Sequence, residues 1–216
     1  MLIKQIMTTN LFITHPDSPV TDAQEIMRRE QIHHLPVVDK RSKKLVGIVT
    51  EKDLLYAAPS PASTLNVYEI TRLLSELRVE KVMTKKVITA APDEPIENAA
   101  RYMADQNISC IPVVDTDGVA MGIVTESDVF RVFIDFFGTR ERGIRMTVRV
   151  PESKGELARL TKDISNRGGN IVSLGTLPGT SATNAMCIIK VEGLTESELV
   201  DAVTSDILEI VDIRVV

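Results

Sequence analysis

The sequence predicts an α+β chain: two copies of a β-α-β-β-α unit packed as a pair, followed by a separate unit of βαββαβ order. Three observations predict it. Motifs in the first two-thirds return at a fixed offset of 76 residues. Within each copy, strand-like apolar runs alternate with helix-like apolar faces. Beyond Gly143 the repeat stops and a different alternation begins.

The repeat fixes the first two-thirds. Ile6-Met7-Thr8 returns as Val82-Met83-Thr84, Pro16-Asp17 as Pro92-Asp93, and Pro19 as Pro95. Ala23, Met27 and Ile32 return as Ala99, Met103 and Ile108. Pro36-Val37-Val38-Asp39 becomes Pro112-Val113-Val114-Asp115; one residue is then dropped in a turn, and Gly47-Ile48-Val49-Thr50-Glu51 becomes Gly122-Ile123-Val124-Thr125-Glu126, with Asp53 matching Asp128.

Each element of the copy has a physical reason. Residues 11–14 are a short apolar run, a strand candidate. Residues 16–19 carry Pro and Asp, the chemistry of a turn and a helix start. Ala23, Ile26 and Met27 share one helical face. Residues 35–38 and 45–49 are β-branched runs joined by the polar stretch 41–44, which predicts a hairpin. Thr50 opens a second helix. One such unit is short of core at this size, which explains the pairing.

The boundaries follow. Copy one spans 1–56, a linker with a helix spans 57–78, and copy two spans 79–137. Residues 57–66 form a Pro/Ser-rich break, and Val67, Ile70, Leu73, Leu74 and Leu77 then mark a helix outside the repeat. The run 129–137 contains Phe130, Phe133, Phe136 and Phe137. It is too apolar to lie free in water, so it is either core or a subunit interface.

After a polar linker at 138–143, residues 144–216 form the second unit. Met146, Val148 and Val150 alternate on one strand face. Leu157, Leu160 and Ile164 mark a helix stopped by Gly168-Gly169. Residues 170–174 and 185–191 are strands with Pro178-Gly179 between them. Thr195 with Glu198 has capping-box spacing before a helix carrying Leu199, Val200 and Val203, and residues 207–216 close as a strand. This is the ferredoxin-like order.

Composition narrows the function. The chain of 216 residues is 44% hydrophobic, only 4% aromatic, and carries a net charge of −5. Residues 143–216 hold 8 basic and 10 acidic side chains, and the remainder 17 and 20. Neither part is basic, so no nucleic-acid partner is expected. Cys110 and Cys187 have no metal-ligand spacing and read as buried thiols. No stretch approaches the ~20 apolar residues of a membrane span, and MLIKQIMTTN lacks a signal peptide; a cytoplasmic protein with no membrane partner is expected. GxSxG, HExxH, P-loop and GxGxxG motifs are missing, so no catalytic residue, metal or cofactor is assigned.

The doubled hhMT, P-D, L/I-P-V-V-D and G-I-V-T-E-x-D motifs resemble tandem CBS modules, a Bateman pair, over residues 1 to about 137. Residues 144–216 look like an ACT module. The order CBS–CBS–ACT, with Ser60-Pro61-Ala62-Ser63 in the linker, resembles the acetoin-utilisation AcuB family. The resemblance implies a non-catalytic regulatory sensor that binds AMP, ADP, ATP or S-adenosylmethionine. It also implies a homodimer through CBS and ACT surfaces, and a metabolic enzyme as partner.

The same resemblance implies the site. Thr50 with Asp53, and Thr125 with Asp128, match the segment that holds the ribose. A carboxylate can accept hydrogen bonds from both hydroxyls of the diol, and a helix start favours a nearby phosphate. Thr-x-x-Asp at a helix start is equally a cap. His33 and His34 face the phosphates or are ordinary half-buried histidines; copy two has Ser109-Cys110 instead, so the two clefts are expected to differ. Base contacts are expected from residues 12–14 and 88–90, including Ile13, Thr14 and Thr89, or else these are core strand. In the ACT unit the ligand loop maps to Ser153 and Gly155 with Asn170 and Ile171. Its Glu152-Ser153-Lys154 departs from the family's Asp-x-Pro-Gly loop, which favours dimerisation there over ligand binding. The competing reading is a homodimerisation scaffold with empty clefts.

Overall fold

The computed structural model describes residues 1–57 and 66–216, so most of the Pro/Ser-rich break lies outside the described residues. The chain divides into two compact units, Met1–Val129 and Phe130–Val216. The sequence puts this boundary at the 138–143 linker; the structure puts it earlier, within a helix.

In the first unit, copy one runs α1 (Val20–Glu30), β1 (His34–Val38), β2 (Leu45–Thr50) and α2 (Glu51–Ala57). After α3 (Val67–Glu76), copy two runs α4 (Ile96–Gln106), β3 (Cys110–Val114), β4 (Ala120–Thr125) and α5 (Glu126–Phe136). The repeat is preserved in detail. Pro19 and Pro95 precede α1 and α4, and the left-handed Gln31 and Asn107 end them. Each hairpin is antiparallel with a bulge at its fourth residue. The dropped residue falls in the hairpin turn, where Lys43 (φ 60°) in copy one matches Gly118 (φ 82°) in copy two. A side chain resists this conformation and glycine does not.

The expected first strand of each copy is reduced to one parallel bridge, Thr14 to Val37 and Ala90 to Val113. The reason is proline. Thr14 N–H donates to Pro36 O at 3.0 Å, but Pro36 has no N–H to return, and Pro16 follows two residues later.

The copies are completed by exchanging their N-terminal segments. The 3-10 turn Ile3–Gln5 bonds to copy two, with Ile3 N to Glu94 O and Lys4 N to Pro92 O at 2.9 Å each. The equivalent turn Val79–Lys81 bonds to copy one, with Val79 N to Ser18 O and Glu80 N to Pro16 O at 3.0 Å. Thr8 then bridges Ile123, and Thr84 bridges Ile48. The core of copy one is Val20, Ala23, Met27, Leu35, Val37, Val49 and Leu54, closed by Val79 from the other segment. Neither copy has a complete core alone, because an apolar residue it must bury belongs to its neighbour.

The second unit is β5 (Ile144–Pro151), α6 (Glu156–Asn166), β6 (Asn170–Pro178), β7 (Asn184–Glu192), α7 (Glu196–Val203) and β8 (Glu209–Val215). The sheet is antiparallel, ordered β6-β7-β5-β8, the split βαβ arrangement expected from the element order. Met146, Val148, Val150, Cys187, Ile189 and Val191 bury one sheet face against Leu160, Ile164, Leu199 and Val203. Thr195 caps α7 by accepting from Glu198 N, as its spacing predicts.

The core reading of the aromatic run fails for three of its four rings. Phe130, Phe133 and Phe136 are 62%, 57% and 60% exposed. Only Phe137 turns inward, its ring meeting Gly175 of β6.

Candidate functional site

In copy one the candidate residues gather where a strand runs straight into a helix. His34, first in β1, pairs with Thr50, last in β2, and α2 begins at the next residue. Thr50 N–H and Oγ1–H both donate to Asp53 Oδ2, at 2.9 and 2.8 Å, and Asp53 N–H returns to Thr50 Oγ1 at 3.2 Å. Glu51 N–H donates to His33 O at 3.0 Å. Copy two repeats the box. Thr125 N–H and Oγ1–H donate to Asp128 Oδ2 at 2.9 and 2.8 Å, and Glu126 N–H to Ser109 O at 3.0 Å. The capping role is therefore real in both copies.

Capping does not exhaust the copy-one carboxylate. Both bonds fall on Oδ2, and Asp53 Oδ1 accepts none among the described residues. An ionised carboxylate has about four acceptor positions, so capacity remains for a diol. Asp53 is half-buried, whereas Asp128 is only 6% exposed. The copies differ in access to the same chemistry.

The two histidines diverge. His33 is exposed, its Nδ1 2.7 Å from Glu51 Oε2. His34 turns to the seam between copies, its Nε2 2.8 Å from Ser109 Oγ. Ser109 is the repeat counterpart of His33, so this bond joins the two strand starts. Burial holds the His34 pKa below the ordinary 6.5, neighbouring His33 adds to the depression, and Asp53 opposes it. This depression favours the neutral imidazole, which donates at one ring nitrogen and accepts at the other.

Thr14 bridges β1 through its main chain. It is 3% exposed. Both its backbone groups serve β1, with Thr14 N to Pro36 O at 3.0 Å and Val38 N to Thr14 O at 2.9 Å. Its N–H is thereby used, while its carbonyl oxygen keeps a second lone pair. Ile13 is half-buried, and its backbone groups make no hydrogen bond among the described residues. Thr89, its counterpart, is likewise half-buried, and Ala90 takes the bridging role. Thr14 meets Val37, three residues along β1 from His34, or about 10 Å at the rise of a strand. The base-side and ribose-side candidates therefore lie along one strand.

The candidate loop residues of the second unit are not brought together. Ser153 and Gly155 follow Pro151, at one end of β5. Asn170 and Ile171 lie at the other end, because Ile171 pairs Val191 and Val191 pairs Ile144. Seven strand steps separate the ends, about 23 Å. A βα connection returns the chain so that β6 starts beside the start of β5, which separates these residues within one chain. Asn170 Nδ2 donates to Glu192 Oε1 at 2.5 Å, and Ile171 packs on the core. Gly155 has φ +85° and precedes α6.

Cys110 and Cys187 are buried; burial pushes their thiols up to about 12 and about 11, so neither is a thiolate at neutral pH. Among the described residues no His, Cys, Asp and Glu cluster could hold a metal, and no helix is long and apolar enough to cross a membrane. What sequence reasoning missed is the exchange that places Met7 and Met83 beneath the opposite hairpins. Its signal was the pairing of repeated Met with repeated Gly.

Comparison with known proteins agrees with the repeat. The chain is 36% identical over 132 residues to the L-aspartate semialdehyde sulfurtransferase of Methanocaldococcus jannaschii, matching 61% of this chain but only 23% of that enzyme. It spans about a quarter of such relatives. Among solved structures, a CBS domain pair in complex with 5′-methylthioadenosine and S-adenosyl-L-methionine is 33% identical, with TM-score 0.52, covering 65% of this chain and 98% of that one. CBSX2 in complex with AMP is 30% identical, with TM-score 0.51, covering 62% and 96%. A putative acetoin utilization protein (AcuB) from Vibrio cholerae is 31% identical, with TM-score 0.53, covering 65% and 95%. The CBS domain model matches residues 3–60 and 79–135, more than half of the chain. With its two exchanged copies and their doubled capping boxes, the chain belongs to the CBS domain family.

Proposed function

We propose that the CBS pair is a non-catalytic sensor for an adenine nucleotide, AMP, ADP, ATP or S-adenosylmethionine, with the copy-one site as the principal one. The observation that carries this is Asp53: its Oδ2 completes the cap while its Oδ1 is left with acceptor capacity beside His34. Similarity to CBS pairs solved with AMP and with S-adenosyl-L-methionine supports the ligand class. In this reading Asp53 takes the ribose diol, Ile13 offers backbone groups to the base, and His33 and His34 serve as polar neighbours of the phosphate or sulfonium end. Asp128 with Thr125 and Thr89 forms the weaker second site. Residues 144–216 act as an ACT module that assembles the chain as a homodimer in the cytoplasm. Ser153, Gly155, Asn170 and Ile171 form a ligand site only if a second copy brings the two sheet ends together. A metabolic enzyme, in acetoin or acetate metabolism by the likeness to AcuB, receives the output.

Calorimetry with AMP, ADP, ATP and S-adenosylmethionine tests the reading, and Asp53→Asn is the informative variant. Asn retains an acceptor for the Thr50 cap but loses the charge-assisted bonds, so affinity should fall about tenfold or more. No binding at millimolar ligand overturns the reading. The capping boxes favour a second one, a scaffold whose clefts stay empty, because both Thr-x-x-Asp segments already have a structural task. That reading expects a homodimer whose melting temperature no nucleotide changes.

A further inference from the structure

We propose that the copy-one site selects an adenosyl ligand whose 5′ group is a cationic sulfonium over one whose 5′ group is a phosphate, and that Glu51 sets this preference. The inference rests on the sensor reading for the site itself and adds the sign of charge that the site prefers.

Nucleoside geometry says where the 5′ group goes. The base on C1′ and the 5′ carbon on C4′ leave the ribose from opposite sides, with the diol on the edge between them. With the diol at Asp53 and the base along β1 towards Ile13, the 5′ group points past the start of that strand. His33 and Glu51 stand there. Glu51 N–H donates to His33 O at 3.0 Å, and Glu51 Oε2 lies 2.7 Å from His33 Nδ1. Glu51 Oε1 accepts no hydrogen bond among the described residues, and the side chain is 67% exposed.

The charges at this end decide the sign. A helix N-terminus carries about +0.5 of an elementary charge, but the first turn of α2 already holds Glu51 and Asp53. Two carboxylates outweigh that dipole. His33, when protonated, balances only one of them. His34 adds no compensating charge, because burial favours its neutral form. Lys52 is the one basic residue of α2. Its Nζ lies over the Tyr56 ring, 5.7 Å from the centroid and one turn further along the helix. On α1, Arg29 is held by Glu30 at 2.6 Å, and Arg28 is exposed to solvent. The local balance is therefore negative whether or not His33 is protonated. A phosphate brings about −1.5 to −2 charges at pH 7 and meets repulsion; a sulfonium meets attraction. Copy two has the same sign. Residues 125–128 include no base, and Glu126 adds to the elevation of the Cys110 pKa.

Calorimetry on the full-length protein tests this with two matched pairs. S-adenosylhomocysteine lacks only the sulfonium methyl and its charge; AMP adds only a phosphate to adenosine. S-adenosylmethionine should bind about fivefold or more tighter than S-adenosylhomocysteine, and adenosine tighter than AMP. Both differences should shrink as salt rises. Glu51→Gln keeps an acceptor for His33 and removes the charge. It should cut the sulfonium preference about threefold, the size of an exposed charge pair, and strengthen AMP binding. Glu51→Lys should reverse the order of adenosine and AMP. Equal binding of the two adenosyl compounds, AMP binding tighter than adenosine in the parent, or a preference that Glu51→Gln leaves intact would each overturn the proposal while leaving the sensor reading in place. Failure of that reading looks different: none of the four ligands, uncharged adenosine included, would bind at millimolar concentration, and the site would fall together with its preference.

Discussion

Met83 occupies the space that a side chain at Gly47 would need: its Sδ lies 2.7 Å from where a Cβ on that glycine would be, and Met7 stands 2.7 Å from the same point on Gly122. The repeat motifs Met-Thr and Gly-Ile-Val-Thr are thus two halves of one contact, made twice, each time across copies. Thr84 O is also 3.0 Å from the Gly47 position, so backbone as well as sulfur stands in the way. Gly47→Ala should destabilise the chain by about 1–3 kcal/mol, the usual range for overpacking. Urea unfolding measures it. Adding Met83→Ala should recover part of the loss through a coupling term. A Gly47→Ala variant as stable as the parent would show that the segments are not interlocked.

Much of this architecture was legible because it is local. Helix faces, hairpins and the Thr195 cap each follow from spacing within about ten residues. The exchange was not, because which copy Met7 covers depends on contacts far apart in sequence. The shortened first strand was half legible: Pro16 and Pro36 were visible, but their joint effect required knowing that Thr14 lies beside Pro36. For the site, the capping boxes could be read from Thr-x-x-Asp. The divergence of His33 and His34 could not, since it depends on Ser109 arriving from the other copy.

His34 supplies a pH dependence. Its folded pKa is depressed below 6.5, chiefly by burial. The unfolded chain therefore takes up a proton before the folded one does. The stability this group confers is complete above about pH 6.5 and is lost as pH falls through the lower folded value. His34→Gln can keep a hydrogen bond to Ser109 without titrating. Denaturant unfolding from pH 7.5 to 5 should show the parent losing stability faster than His34→Gln below pH 6.5. Parallel curves would mean that the imidazole is not held neutral at the seam.

Asp206 works in the opposite direction. Burial and the neighbouring Asp163 raise its pKa from 3.8, and Arg159 opposes them only from 3.9 Å. Its Oδ2 is buried and has no hydrogen-bond partner among the described residues. A raised folded pKa means stability that is present below the unfolded value and lost as pH rises through the folded one. Asp206→Asn removes the buried charge and can donate to Asp163. It should raise the melting temperature at pH 7, with a gain that shrinks towards pH 4. A loss at neutral pH would show instead that the Arg159 contact outweighs the repulsion.

The exposed rings of α5 bear on assembly. Phe130 and Phe133 lie three residues apart, which places them on one helix face, and each is more than half exposed. Burying a Phe contributes about 1.5–3 kcal/mol, which makes these rings a candidate face for the proposed homodimer. For the proposed homodimer, the double variant Phe130→Glu, Phe133→Glu should shift sedimentation towards monomer and weaken association about a hundredfold or more. Folding should survive, because neither ring is buried within its own chain. If the double variant stays dimeric, association lies elsewhere. The edge strand β8, with Val211 47% and Val215 71% exposed, then becomes the surface to disrupt, because an open apolar edge is itself a pairing site.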